Sequence, residues 1–180
     1  MIFEETHIAG LIIIKPRVFE DSRGFFFESY NKESYAKLGL KVEFIQDNLS
    51  KSQKGVVRGL HFQKPPFEQG KLVQVIRGSV IDVAVDIRKN SKTYGQYIAI
   101  ELSEQNKTQF YIPPGFAHGF STLEDNTIFS YKCTNVYNKE SEDSIFWNDD
   151  TLKIDWGVKN PIISEKDKLA KPFDQFKSPF

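Results

Sequence analysis

The chain of 180 residues sets 24 Lys and Arg against 24 Asp and Glu, and this formal net charge of zero disfavours partners held by bulk charge, such as nucleic acid or an anionic membrane. Its 39% apolar and 27% charged residues suit one folded domain spanning 1–180 rather than a disordered chain. The distinctive entries are 16 Phe, 7 Tyr and 2 Trp against one Met, a composition that favours pleated, β-rich structure.

The N-terminus, Met-Ile-Phe-Glu-Glu, is acidic where a secretory leader is basic. Its longest apolar run, Leu11 to Ile14, is too short for a signal core or a membrane span, so a soluble cytoplasmic protein is expected. Pro16 closes that run, and after the turn at Asp21 to Gly24 the segment Phe25 to Tyr30 reads as a strand. Asn31 to Leu38, with a capping residue at its start and Gly39 after its end, predicts a short helix. Lys71 to Ile76 and Val80 to Ile87 read as strands joined in a hairpin across Arg77-Gly-Ser79. Further strands follow at Tyr97 to Leu102, Thr108 to Ile112, His118 to Leu123 and Thr127 to Tyr137, and Ser164 to Ala170 reads as a helical turn on the rim. Short strands broken by Gly, Pro and Asn turns predict an all-β sandwich or barrel with a few short helices. Cys133 lies inside an apolar run and has no partner for an internal disulfide, so it reads as a small buried hydrophobe.

Of the three histidines, His7 sits in a polar stretch with no chemistry around it. His61 falls in Arg58-Gly-Leu-His-Phe-Gln63, and His118 falls in Ile112-Pro-Pro-Gly-Phe-Ala-His-Gly119. The Pro-x-Gly-x-x-His pattern of the second resembles a signature of the cupin superfamily, a small antiparallel jelly-roll barrel with a ligand cavity in its mouth. Many cupins bind a metal through a His-x-His pair, and here that pair reads His61-Phe-Gln63. Gln63 and Glu68 could add oxygens, but two histidines on separate strands make a poor shell for zinc or iron.

A closer resemblance, over almost the whole chain, is to the dTDP-4-dehydrorhamnose 3,5-epimerases. It is carried by Arg23 to Tyr30, Gln46-Asp-Asn48, Arg58 to Gln63, Lys71-Leu-Val73 and Asp82 to Arg88. Ile112 to Phe120, Tyr131 to Tyr137, Trp147-Asn-Asp149 and Ser164 to Asp167 continue it, in order. The resemblance implies inversion of two carbons flanking the keto group of a dTDP-linked 6-deoxyhexose, in a homodimer, without cofactor or metal. Such a reaction needs a base, an enolate stabiliser and an acid on the opposite face.

The resemblance assigns His61 as base, Asp167 as its hydrogen-bond acceptor, Tyr131 as acid and Lys71 as enolate stabiliser. It assigns Arg23, Arg58 and Lys166 to the pyrophosphate, Tyr137 to the thymine ring, and Phe26, Glu28, Gln46, Asn48, His118 and Glu142 to further substrate contacts. Asp82 and Asp86 share one face of their strand, and Asp82 is a candidate to support the site from behind. Local sequence offers competing readings. Ser164-x-x-Asp167 is also a capping-box pattern, a buried phenol often only packs, and a lysine at a strand end is commonly solvated. Arg58 and His61 differ by an odd number of positions, so a regular strand would point them to opposite faces. An irregularity at Gly59 is therefore predicted. Three alternatives stay open: a sister epimerase acting at one carbon or on another nucleotide sugar, a non-catalytic sugar-binding cupin, and a metal-dependent cupin oxygenase.

Overall fold

A computed structural model describes all residues from Met1 to Phe180. The strands are β1 (Ile2–Glu5), β2 (Ile12–Lys15), β3 (Val18–Asp21), β4 (Gly24–Phe27), β5 (Gln46–Ser52), β6 (Val56–Gln63) and β7 (Lys71–Arg77). They continue with β8 (Ser79–Asp86), β9 (Tyr97–Ser103), β10 (Gln109–Ile112), β11 (Phe116–Thr122), β12 (Thr127–Cys133), β13 (Glu142–Ser144) and β14 (Ile162–Ile163). The helices are short: α1 (Lys32–Lys37) and α2 (Glu165–Lys168).

One sheet runs β1-β2-β10-β7-β12-β5; the other runs β13-β6-β11-β8-β9, with β14 added in parallel beside β6. The two face each other as the cupin-type antiparallel barrel that the family resemblance implied. Alternation along each strand builds the shared interior. Val73, Val75, Phe110 and Phe129 from the first sheet meet Val80, Ala84, Leu102, Phe116 and Phe120 from the second. The outer face of the second sheet is covered by the C-terminal third of the chain, through Ile145, Leu152, Trp156 and Phe173. The outer face of the first sheet is covered by α1 and the segment after it, through Tyr35 and Leu40.

Helix α1 forms where its cap predicts, because the Asn31 side chain accepts from the N–H groups of Glu33 and Ser34. The expected hairpin across Gly78 does not form. β7 pairs with β10 and β12, whereas β8 pairs with β9 and β11, so Gly78 is a corner between sheets. It has φ +78°, and a Cβ there would stand 2.5 Å from Thr127 Oγ1. A glycine between two β-branched runs marks a tight reversal in either case, and only the neighbours of each strand decide between hairpin and corner.

Two strand boundaries also differ from expectation. β12 ends at Cys133, and the run from Phe25 stops at Phe27. That run lies in a two-stranded ribbon, β3–β4, outside both sheets, with Phe25 58% and Phe26 71% exposed.

Candidate active site

The site begins with a defect in β6. His61 pairs with His118 and Arg58 with Phe120, so three steps along β6 match two along β11. Gly59 absorbs the extra residue at φ +146°, where a Cβ would stand 2.6 Å from the Cα of Gly119. Gly119 is the matching half of this close approach, since a Cβ there would stand 2.7 Å from the Arg58 carbonyl. The parity change appears in the packing. Val57, Leu60 and Phe62 all face the outer core, while Arg58 and His61 border one cavity of about 250 Å³. The irregularity expected at Gly59 is therefore present.

On this wall His61 Nε2 lies 2.6 Å from Asp167 Oδ1, and the carboxylate is only 3% exposed. The N–H of Gly59 donates to the other oxygen, at 3.4 Å. Burial alone would lift the Asp167 carboxyl. The hydrogen bond and charge of His61, with the donors at Gly59 and Ser164, hold it below its ordinary value instead. The competing cap also exists, because the backbone N–H of Asp167 donates to Ser164 Oγ at 3.1 Å. Cap and dyad use different atoms of one residue. Ser164 satisfies the main chain of Asp167 and leaves its carboxylate to orient His61.

The facing sheet supplies Tyr131, Lys71 and Asn48 to the same cavity. The Tyr131 phenol has no protein hydrogen-bond partner, and burial above all, then Cys133 and Glu142, raises its pKa against the opposing pull of Arg58. Lys71 forms no ion pair; its ammonium stands 5.9 Å from the centroid of the Tyr131 ring. Burial lowers its pKa, partly countered by Cys133, Asp82 and Glu142. Cys133 is buried as expected, and its sulfur lies 3.5 Å from the Asn48 amide nitrogen. His118 borders the cavity with Nε2 2.9 Å from Asp82 Oδ2, so Asp82 supports it from behind. Burial pulls His118 down in pKa despite that carboxylate.

At the mouth, five polar residues join into a chain. Tyr137 donates from its N–H to Gln46 Oε1 at 2.9 Å and from its hydroxyl to Glu142 Oε2 at 3.0 Å. Lys166 Nζ meets the same Glu142 oxygen at 2.5 Å, and Gln46 donates to Asn48 at 3.1 Å. A separate pocket shares Arg58 and His61 with this cavity and is also bordered by Lys166 and Asp167. Gln63, at the position of a cupin metal ligand, spends its amide on the main chain of Phe67, Val136 and Asn138, so it fastens the loop that carries Tyr137. The protein contains no group of three or more His, Cys, Asp and Glu placed to hold a metal ion.

Comparison with known proteins agrees with this geometry. The pattern described as dTDP-4-dehydrorhamnose 3,5-epimerase matches residues 5–175. The chain belongs to the dTDP-4-dehydrorhamnose 3,5-epimerase family. It is 52% identical over 170 residues to the epimerase of Shigella flexneri, covering 94% of each chain. The crystal structure of the Elizabethkingia anophelis epimerase superposes with a TM-score of 0.92 at 51% identity, over 97% of both chains. A Legionella pneumophila dTDP-6-deoxy-D-glucose-3,5-epimerase in complex with dTDP-4-keto-L-rhamnose gives a TM-score of 0.93 at 48% identity, over 97% of this chain and 94% of that one.

Three residues that the epimerase resemblance assigned to substrate lie away from the cavity within one chain. Arg23 and Phe26 sit on the β3–β4 ribbon, where Arg23 pairs with Asp21 at 2.6 Å with its side chain 88% exposed. Glu28 follows the ribbon and accepts from the Asn31 amide at 3.0 Å. Residues not singled out in the sequence also help to build the epimerase-family site. Ser52 accepts from Arg58 Nε at 3.2 Å, and Ser50 borders the cavity beside it. Their signal was the alternation Gln46, Asn48, Ser50, Ser52, four polar side chains on one face of β5.

Proposed function

We propose that this chain converts dTDP-4-dehydro-6-deoxy-D-glucose into dTDP-4-dehydro-L-rhamnose by inverting carbons 3 and 5. One observation carries the reading. An imidazole held by a buried carboxylate and a phenol with no protein partner face a single cavity from opposite sheets. Epimerisation requires this division, because the proton must leave one face of the sugar and return on the other.

With Nε2 engaged by Asp167, His61 presents Nδ1 to the hydrogen beside the ketone, and Asp167 stabilises the imidazolium that forms. The electron pair moves onto the carbon-4 oxygen, where the unpaired ammonium of Lys71 offsets the developing charge. Tyr131, kept protonated by burial, delivers a proton from the opposite side. Arg58 and Lys166 suit the pyrophosphate, and Tyr137 at the mouth suits the thymine ring.

The whole span 1–180 acts as one catalytic unit, and two copies form a homodimer. The ribbon supports this: exposed Phe25 and Phe26 flank Arg23 outside both sheets, and Glu28 follows them, so a partner's cavity is where these side chains serve. No helix is long and apolar enough to cross a membrane, and a cytoplasmic location fits a nucleotide-linked substrate. Mixing Arg23→Ala with His61→Ala protein tests the arrangement, because mixed dimers should carry one intact site and regain activity that neither variant shows alone. A monomer in solution, or no complementation, would refute it.

The activity itself is tested by incubating the protein with the 4-keto sugar nucleotide in deuterated water, without added metal or nicotinamide. Deuterium should enter at carbons 3 and 5, and His61→Ala should abolish the exchange while dTDP still binds. Exchange at one carbon only would reduce the activity to a single epimerisation, and no exchange would overturn the reading.

A further inference from the structure

The β3–β4 ribbon stands apart from both sheets, and every residue from Phe19 to Phe26 is exposed. Between Pro16 and Tyr30, one main-chain group alone hydrogen-bonds outside that stretch: the carbonyl of Ser29, next to Glu28 at the ribbon's foot. Its partners lie on the outer face of the first sheet. Gln109, on β10 and 1% exposed, donates from Nε2 to the Ser29 carbonyl at 2.7 Å and to Gln74 Oε1 on β7 at 2.9 Å. Gln109 Oε1 accepts from the Tyr35 hydroxyl at 2.6 Å. That hydroxyl also stands 3.0 Å from the Ser29 carbonyl, but a phenol has one proton and the shorter contact takes it. Gln109 is therefore the donor on which the Ser29 carbonyl depends.

The layer around this amide is apolar, with Ile14, Leu40, Leu72 and Tyr111 buried in it. An amide in such a layer costs free energy unless its groups are partnered, and full partnering holds it to one arrangement. Both hydrogens and the oxygen of the Gln109 amide are used. We propose that Gln109 is a positioning residue for epimerisation, fixing the foot of the ribbon so that Arg23, Phe26 and Glu28 meet the partner's cavity. The inference rests on the homodimer proposed above. The effect falls on the other subunit, because the cavity of the same chain lies across the sheet, on the face to which Phe110 points.

Dual-tagged heterodimers test this, since each holds one working cavity. In the first, an unaltered chain is paired with a chain carrying both His61→Ala and Gln109→Met, so the working cavity receives the altered ribbon. Its KM for the 4-keto sugar nucleotide should rise about threefold to tenfold over that of the unaltered and His61→Ala pair, with kcat changing less. In the second, Gln109→Met lies on the chain that keeps His61, and its partner carries His61→Ala alone. That cavity receives an unaltered ribbon, and KM should not move. A rise in neither pairing, in both equally, or in the second alone would overturn the assignment, since a residue serving only its own barrel cannot act across the dimer. If Gln109→Met gives no heterodimer, Gln74→Met removes the acceptor that steadies the amide, and the same asymmetry decides. Arg23→Ala in place of Gln109→Met is the control. If it too lacks the asymmetry, the homodimer reading fails, and the role of Gln109 with it.

Discussion

The side chain of Asp167 reaches His61 at 2.6 Å while its backbone N–H is capped by Ser164 at 3.1 Å. One residue thus takes the cap at the start of a helix and orients a base, and substitution tells the two functions apart. Asp167→Asn keeps the shape but loses the charge that favours the imidazolium. Deuterium exchange should fall by about 10²- to 10⁴-fold, with dTDP affinity little changed.

Ser164→Ala, by contrast, removes the cap and the smallest of the influences that hold the Asp167 carboxyl down. Urea unfolding should show a loss of about 1 kcal/mol, with exchange reduced far less than in Asp167→Asn. A collapse of activity equal to that of Asp167→Asn would mean that the carboxylate depends on the cap for its position.

Gly59→Ala should be among the most damaging small changes available to this chain. The residue has φ +146°, and a methyl group would stand 2.6 Å from the backbone of Gly119, which cannot yield as a side chain would. Destabilisation of about 3 kcal/mol or more is expected in urea unfolding, and any folded fraction should have Arg58 displaced and its affinity for dTDP reduced.

The alkaline limb of the pH–rate profile should report Lys71. Burial lowers its pKa, while burial raises that of Tyr131, so on raising the pH the ammonium is lost first. Activity should therefore fall below the ordinary lysine range, and Lys71→Arg should move the limb to higher pH even as it lowers the maximum rate. An unchanged limb in that variant would remove Lys71 from the electrostatic role.

Acid stability should depend on Asp86, far from the chemistry. Burial opposes its ionisation, but Arg88, Ser91 and Thr93 hold its pKa down at about 2. A depressed native pKa adds stability that is present above the unfolded value near 4 and is lost as pH falls toward 2. Unfolding followed from pH 6 to pH 2 should show about 2 kcal/mol lost through this window. Asp86→Asn should be less stable at neutral pH and should flatten the decline.

Much of this was written in the chain itself. The β-branched and aromatic runs broken by Gly, Pro and Asn turns specified an all-β fold, since such side chains suit pleated strands and such residues suit reversals. The pattern at Asn31 specified a helix start through one local hydrogen-bond geometry. Gly59 could be singled out because Arg58 and His61 cannot share a face of a regular strand. What the sequence could not decide was every relation between segments distant along the chain. Gly78 reads equally as a hairpin and as a corner, because the local backbone is alike and only β10 and β12 on one side, β9 and β11 on the other, distinguish them. The dual use of Asp167 needed β6 to lie against α2 across 106 positions of chain. The departure of Arg23, Phe26 and Glu28 from the cavity needed the ribbon's place outside both sheets. Periodicity and turn chemistry are local and survive in one dimension. Which strand pairs with which, and so which side chains share a cavity, is settled by burial of whole faces against one another, and only the folded chain contains those faces.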